Sequence, residues 1–124
     1  MRRTLALALA VASLSAASCG GQAAEVSQAA TVAVGDAVII DVRTPEEFAA
    51  GHLNGALLID FKDASFESEV AKLDPAATYI VYCRSGNRSA QAANRMREIG
   101  IANITDLGSL ENASAQTGVA IVQG

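Results

Sequence analysis

Residues 82–89 contain the residue types best suited to nucleophilic chemistry, in the order Tyr-Cys-Arg-Ser-Gly-Asn-Arg-Ser. An apolar run from Thr78 to Tyr82 leads into Cys83, and a helical pattern begins six residues later at Ser89. A turn between a strand and a helix N-terminus collects backbone N–H groups and the positive end of the helix dipole. These surroundings, with arginine nearby, lower the pKa of a cysteine thiol. The alternative is an inert cysteine ending a core strand, but two arginines and a glycine make a poor core.

The number of residues between Cys83 and Arg88 helps to distinguish the possible classes of enzyme. The pattern is C-x4-R, whereas protein tyrosine phosphatases and cell-cycle dual-specificity phosphatases have C-x5-R. The shorter loop resembles that of rhodanese-type sulfurtransferases, which hold a cysteine persulfide. Residues 39–48 (Ile-Ile-Asp-Val-Arg-Thr-Pro-Glu-Glu-Phe) and 51–56 (Gly-His-Leu-Asn-Gly-Ala) also look like the rhodanese motif D-V-R-x-x-x-E-[FY]-x-x-G-H-[IL]-x-G-A.

The resemblance covers residues 37–107 and is strongest to short, exported, single-domain rhodaneses. It implies a rhodanese-like α/β fold, with a mainly parallel central sheet flanked by helices on both faces. The family carries a glycine pair and a tryptophan near its end, where this chain has Gly108-Ser109-Leu110 and no tryptophan. We expect this departure to affect the C-terminal packing and not the active site.

The resemblance also implies a reaction in two halves. Cys83 would attack the outer sulfur of a donor such as thiosulfate, release sulfite and retain the sulfur as a persulfide. A thiophilic acceptor, such as cyanide, a thiol or a protein, would then remove that sulfur. No cofactor or metal is expected. The loop residues expected to bind the persulfide or the donor are Arg84, Ser85, Gly86, Asn87, Arg88 and Ser89.

Different roles are expected within this loop. Backbone amides of residues 84–89 would hold the terminal sulfur, and Gly86 would let the loop turn inward where a Cβ would obstruct it. Arg84 would attract the incoming anion. Ser85 and Asn87 would shape the rim and influence the choice of donor.

Supporting roles are expected from the first motif. A buried carboxylate on a strand needs a cationic partner, so we predict that Asp41 pairs with Arg88, although a capping or turn role for Asp41 is the alternative. Arg43 would brace the first loop against the catalytic one. His52 lies in a Gly-His-Leu-Asn-Gly turn, and a thiolate stabilised by the loop needs no general base. We therefore predict a structural role for His52.

Two other functions compete with sulfur transfer. A phosphatase or arsenate reductase of the same fold family is opposed by the short C-x4-R loop. A catalytically idle sulfur-binding or interaction module is opposed by the presence of both Cys83 and Arg88. Besides Cys19 of the predicted anchor, the chain has one cysteine, Cys83, together with one histidine and no C-x-x-C. Thioredoxin-like chemistry, a disulfide within the domain and a zinc site are therefore disfavoured.

The N-terminal residues have the pattern of an export signal. Arg2-Arg3 precede an apolar run from Leu5 to Ala12, which is too short to span a bilayer, and small residues lead to Cys19. We predict a signal at 1–18, a tether at 19–30 and a rhodanese-like domain at 31–124. Residues 16–19 (Ala-Ala-Ser-Cys) resemble a lipobox, which implies lipidation of Cys19. Ordinary cleavage after Ala23 or Ala24, a twin-arginine route and a buried N-terminal helix are the alternatives.

Charge restricts the partners. Loss of Arg2 and Arg3 with the signal leaves seven basic against thirteen acidic residues, a net charge of −6. This acidity disfavours a nucleic-acid partner. The expected partners are a small anionic sulfur donor and a small-molecule or protein thiol acceptor, with membrane contact only through the anchor. We expect a monomer in the periplasm, either free or anchored to the membrane.

Hydrophobic patterns place the motifs on alternating strands and helices. Strands are predicted at 38–42, 56–59, 78–82 and 103–107, and helices at 45–50, 65–73, 89–99 and 109–115. Thr44-Pro45-Glu46-Glu47 has the form of a capping box with proline at the first helical position. Ligands of such open sheets bind beyond the carboxyl ends of the strands, where Asp41, Arg43 and Cys83 fall.

Overall fold

A computed structural model describes residues 32–124. The signal, the tether and the lipidation of Cys19, all predicted from the sequence, fall outside the described residues. Across residues 32–124, no helix is both long enough and apolar enough to cross a membrane. In chain order, the elements are β1 (Val38–Asp41), α1 (Pro45–Ala50), β2 (His52–Leu53), β3 (Leu57–Leu58), α2 (Phe66–Ala71), β4 (Thr78–Cys83), α3 (Asn87–Ile99), β5 (Asn103–Ser109), α4 (Leu110–Thr117) and β6 (Ile121–Val122).

The central sheet has four strands in the order β3-β1-β4-β5, and every neighbouring pair is parallel. The two inner strands, β1 and β4, are almost entirely buried, which explains their continuous apolar runs. Because the strands are parallel, the carboxyl ends of β1 and β4 lie at the same edge, with Asp41 opposite Tyr82. The predicted α/β fold with a mainly parallel sheet is confirmed.

Helices cover both faces of this sheet, as predicted. On one face, Ile40 and Val81 pack with α2 and α3, and on the other Ile39 and Ile80 pack with α4 and β2. Alternation along β1 and β4 sends successive side chains into the two cores. On α3, Ala92 and Met96 are fully buried and Ile99 is partly buried against the same core, so these residues form the apolar face of the helix.

The helix boundaries follow local capping signals. Thr44 caps α1, and its side chain and that of Glu47 form the predicted capping box. Ser109 caps α4 by accepting a hydrogen bond from Asn112 N. The helix predicted at 89–99 begins two residues earlier, at Asn87. The earlier start shortens the turn after Cys83, because the predicted loop residues Asn87 to Ser89 form the first turn of the helix.

A small antiparallel sheet, formed by β2 and β6, was not predicted from the sequence. His52 pairs with Val122 and Leu53 with Ile121. Two-residue strands have too few residues to show an alternating pattern, so sequence periodicity could not reveal them. This sheet ties the end of the chain to the segment after α1.

Candidate active site

Cys83 is the last residue of β4, and α3 begins at Asn87 after a turn of three residues. The Gly86 N–H donates a hydrogen bond to the Cys83 sulfur at 2.9 Å, and the Ser89 hydroxyl lies 3.5 Å from the same sulfur. Neither Cys83 nor Ser89 has any exposed surface. The turn and the first turn of α3 therefore both contact one buried thiol, which accepts a hydrogen bond from Gly86 N and donates one to Ser89 Oγ.

These contacts set the acidity of the thiol. Burial acts to raise the pKa of Cys83, but hydrogen bonds from the Ser89 hydroxyl and from the backbone N–H groups of Ser89, Gly86 and Ser85 outweigh it. The resulting pKa lies below the ordinary value for cysteine. The thiolate, which is the nucleophilic form, is favoured by this arrangement.

The N-terminus of α3 differs from those of the other capped helices. Thr44 and Ser109 supply side-chain oxygens at the starts of α1 and α4, whereas Gly86 at the start of α3 has no side chain to do so. The Cys83 sulfur receives N–H groups at this position instead. A helix N-terminus favours negative charge, so an ionised sulfur is well placed there.

Gly86 meets two separate requirements. Its φ of +99° lies in the region that side chains disfavour, and a Cβ on Gly86 would come within 3.4 Å of the Gly108 Cα. Gly108 begins the part of the chain that departs from the family pattern. The active-site turn therefore packs directly against this divergent segment, whereas the sequence predicts that the departure affects only the C-terminal packing.

The predicted pairing of Asp41 with Arg88 is wrong. Arg88 instead binds Glu47, with Nη1 donating to Oε2 at 2.7 Å and Nη2 to Oε1 at 2.9 Å. Glu47 is the third residue of α1, so the ion pair joins the first turn of α1 to the first turn of α3. Asp41 is unavailable to Arg88 because it is engaged by two nearer partners.

Those partners are Arg43 and Tyr82. Arg43 donates to both Asp41 oxygens, with the closest contact at 2.6 Å from Nη2 to Oδ2, and the Tyr82 hydroxyl donates to Oδ2 at 2.8 Å. Arg43 also donates to the Gly51 carbonyl, and its guanidinium lies 5.6 Å from the centre of the Tyr82 ring. Arg43 thus secures the segment after β1 to the end of α1, and its hydrogen bonds do not reach the turn after Cys83.

The other residues predicted for the site are the exposed residues of the active-site turn and His52. Arg84, Ser85 and Asn87 are exposed, and Arg84 forms no ion pair with a carboxylate of residues 32–124. The His52 Nδ1 lies 2.8 Å from the Phe48 carbonyl, and its ring stacks on that of Phe48. These contacts agree with a structural role for His52.

Two residues near the site were missed by sequence reasoning. Glu47 was assigned only to the capping box, and that local role is correct but incomplete. Tyr82 was counted as a core residue of the strand, and nothing in the sequence indicated that its hydroxyl reaches Asp41. Both residues act across the fold, at a sequence separation of 41 residues from their partners.

Comparison with known proteins agrees with this geometry. Residues 23–115 match the family model of the Rhodanese-like domain. This chain belongs to the rhodanese-like domain family. The family match starts within the segment predicted as a tether and ends within α4. In residues 32–124 of this rhodanese-like protein, no group of three or more His, Cys, Asp or Glu side chains is arranged to hold a metal ion.

Its curated relatives include sulfurtransferases. The chain is 34% identical over 73 residues to thiosulfate sulfurtransferase PspE of Escherichia coli, covering 59% of this chain and 70% of that protein. It is 34% identical over 77 residues to thiosulfate sulfurtransferase GlpE of Pseudomonas entomophila, covering 62% and 69%. A solved structure described as rhodanese with anions from E. coli aligns with a TM-score of 0.59 and 31% identity, covering 70% of this chain and 98% of that one. These relatives support a sulfurtransferase of the rhodanese type.

Proposed function

We propose that the protein transfers a sulfane sulfur from thiosulfate, or a related donor, to a thiophilic acceptor through a persulfide on Cys83. The Cys83 thiolate attacks the outer sulfur of thiosulfate, the S–S bond of the donor breaks, and sulfite leaves with its electron pair. A thiol or cyanide then attacks the terminal sulfur and restores the thiolate. The observation that carries the proposal is the convergence of donors on the Cys83 sulfur, which lowers the pKa of the thiol.

Loading requires access to a buried atom. Because Cys83 has no exposed surface, we expect the exposed turn residues Arg84 and Ser85 to shift as the donor's outer sulfur approaches. Arg84 follows Cys83 in sequence and forms no ion pair with a carboxylate among residues 32–124, so it is suited to attract the donor anion. Charge-assisted hydrogen bonds from the turn, worth about 1.5–3 kcal/mol each, would then stabilise the persulfide anion.

The test is mass spectrometry of the purified protein before and after incubation with thiosulfate. One sulfur atom should be added, cyanide should remove it as thiocyanate, and Cys83→Ala should show neither change. Thiocyanate formation by Cys83→Ala would overturn the assignment. Faster hydrolysis of an aryl phosphate than transfer of sulfur by the unaltered protein would favour the phosphatase alternative.

We also propose that the domain works outside the cytoplasm, tethered through a lipid on Cys19. The support is the order of Arg2-Arg3, a short apolar run and Cys19 in the sequence. Each buried CH₂ of an acyl chain contributes about 0.8 kcal/mol, and several chains together give stable anchoring. Membrane fractions should contain the protein, and Cys19→Ala should release it. A soluble native protein that begins near Ala24 would show ordinary signal cleavage instead.

A further inference from the structure

The two arginines of the active-site turn have different electrostatic surroundings. Arg88 forms a two-bond ion pair with Glu47, and their side chains are only 17% and 25% exposed. Partial burial and the paired geometry make this contact stronger than an ordinary surface ion pair. Arg84, by contrast, is exposed and forms no ion pair with a described carboxylate.

Glu47 is itself held in place. Its Oε2 accepts hydrogen bonds from Thr44 N at 3.0 Å and from Thr44 Oγ1 at 3.2 Å, while the Glu47 N–H donates to Thr44 Oγ1. The carboxylate therefore keeps its position relative to α1 whether or not Arg88 binds it. A carboxylate fixed in this way can determine where the Arg88 guanidinium lies.

The Arg88 charge also acts on the active-site sulfur. The Glu47 hydrogen bonds are the main cause of a raised pKa of Arg88, and the charges of Cys83 and Asp60 contribute in the same direction. Arg88 is thus close enough to Cys83 for the two charges to interact, while Glu47 offsets the charge of Arg88. Asp60 is a second carboxylate near Arg88, and its Oδ1 accepts the Lys62 N–H.

These relationships have a consequence for the kind of anion that the turn can bind. With Arg88 neutralised by Glu47, and Arg43 neutralised by Asp41, the positive charge left to the turn comes from Arg84, which follows Cys83 in sequence, and from the helix dipole of α3. That charge suits a single negative charge, such as a thiolate or a persulfide. It is small for a divalent oxyanion, which would need a second free cation.

We propose that Glu47 is a positioning residue that determines anion selectivity: by holding Arg88 and offsetting its charge, it makes the turn bind a monoanionic persulfide and bind divalent oxyanions weakly. The proposal rests on the proposed sulfurtransferase function for its persulfide. Weak binding of divalent oxyanions can nevertheless be measured without enzymatic turnover. Weak binding would also favour departure of sulfite after the first half-reaction, and it means that thiosulfate, which is itself a divalent anion, reacts with Cys83 from a weakly bound complex.

The test is a titration of purified full-length protein with inorganic sulfate, followed by the NMR shifts of the Gly86 and Ser89 amides. Glu47→Gln should lower the dissociation constant for sulfate about five- to tenfold, as expected for one added unit charge at a partly screened site. Glu46→Gln removes the same charge from the exposed neighbouring position of α1 and should leave the constant unchanged. A merely structural role for Glu47 predicts no tighter binding in either variant.

A second variant identifies the source of the added affinity. In the double variant Glu47→Gln/Arg88→Gln, the dissociation constant should return to the wild-type value, because the released charge is removed. If Glu47→Gln does not fold, Glu47→Asp should show an intermediate gain, because the shorter side chain loses one of the two contacts. Equal sulfate binding by wild type, Glu47→Gln and Glu47→Asp, or a gain that persists in the double variant, would overturn the proposal.

The same samples keep the two proposals separate. If the wild type transfers no sulfur but the sulfate titrations of the variants give the expected dissociation constants, the proposed function is rejected and the anion selectivity of the turn is retained. Normal sulfur transfer, with no difference between Glu47→Gln and Glu46→Gln, would reject the role of Glu47 and retain the proposed function.

Discussion

The Tyr82 hydroxyl donates a hydrogen bond to Asp41 Oδ2 at 2.8 Å and accepts one from the Leu53 N–H at 3.0 Å. A single side chain thereby joins β4, β1 and β2 directly beside Cys83. Burial is the main cause of the raised pKa of Tyr82, and its hydrogen bond to Asp41 acts in the same direction. The hydroxyl therefore stays protonated and remains a donor, which fixes the carboxyl ends of the two central strands relative to each other.

This network should be important for stability. Asp41→Asn leaves the buried Arg43 without its counter-charge, and loss of one partner of a buried ion pair costs about 3–5 kcal/mol. We expect the free energy of unfolding, measured by urea denaturation, to fall by about 3 kcal/mol. Asp36→Asn, at an exposed position, should change it by less than about 0.5 kcal/mol. Equal effects of the two substitutions would show that the Asp41 network contributes little.

The ion pair between Glu47 and Arg88 should make the protein sensitive to acid. Hydrogen bonds from Arg88 are the main cause of the lowered pKa of Glu47, from 4.5 to about 2. A lowered pKa in the folded state stabilises the protein above pH 4.5, and this stabilisation is lost as the pH falls from 4.5 towards 2. Glu47→Gln should remove about 1–2 kcal/mol of the difference in unfolding free energy between neutral and acidic pH. Glu46→Gln should keep the wild-type dependence of unfolding free energy on pH. If Glu46→Gln loses as much of this dependence as Glu47→Gln, the effect comes from general charge repulsion and not from the ion pair.

The Ser89 hydroxyl should contribute to the acidity of Cys83. In the thiol form the Cys83 S–H donates to Ser89 Oγ, and after ionisation the Ser89 O–H can donate to the sulfur instead. Ser89→Ala removes this donor, so the pKa of Cys83 should rise and less thiolate should be present at neutral pH. The ultraviolet absorbance of the thiolate, followed across pH, measures this change without requiring access to the buried thiol. Ser85→Ala keeps its backbone N–H and should leave the titration of Cys83 unaltered; a rise equal to that in Ser89→Ala would argue against a specific hydroxyl contact.

Gly86 should tolerate no side chain. Gly86→Ala would place a Cβ at φ +99° and within 3.4 Å of Gly108 Cα, adding a steric cost to a conformational strain of about 1–2 kcal/mol. Gly55→Ala is the matched control, because Gly55 has φ +84° but open space around its Cβ position. Both variants should be destabilised, and Gly86→Ala should be destabilised more. Sulfur transfer should fall at least about tenfold in Gly86→Ala only, because the turn that contains Gly86 holds the Cys83 sulfur. Undiminished transfer in Gly86→Ala would show that the turn adapts to the added methyl group.

Local patterns in the sequence specify most of the scaffold. The apolar runs of β1 and β4 predict two buried strands, and Thr44 with Glu47 predicts the start of α1. Each of these signals depends on residues within a few positions of one another, or on burial of a whole segment. The position of Cys83 at the end of β4 follows from the same information. The short strands β2 and β6 were not predicted, because two residues have no measurable periodicity.

The partners of the charged residues were decided by the tertiary structure. Asp41 and Glu47 both lie in the first motif, and either carboxylate could have bound Arg88 on grounds of charge alone. Folding places Asp41 within reach of Arg43 and Tyr82, and turns the first residues of α1 towards α3, so Arg88 meets Glu47. Ion pairs depend on the distances and directions between segments that are far apart in the chain. The charges can be read from the sequence, but those distances are set only by the folded structure.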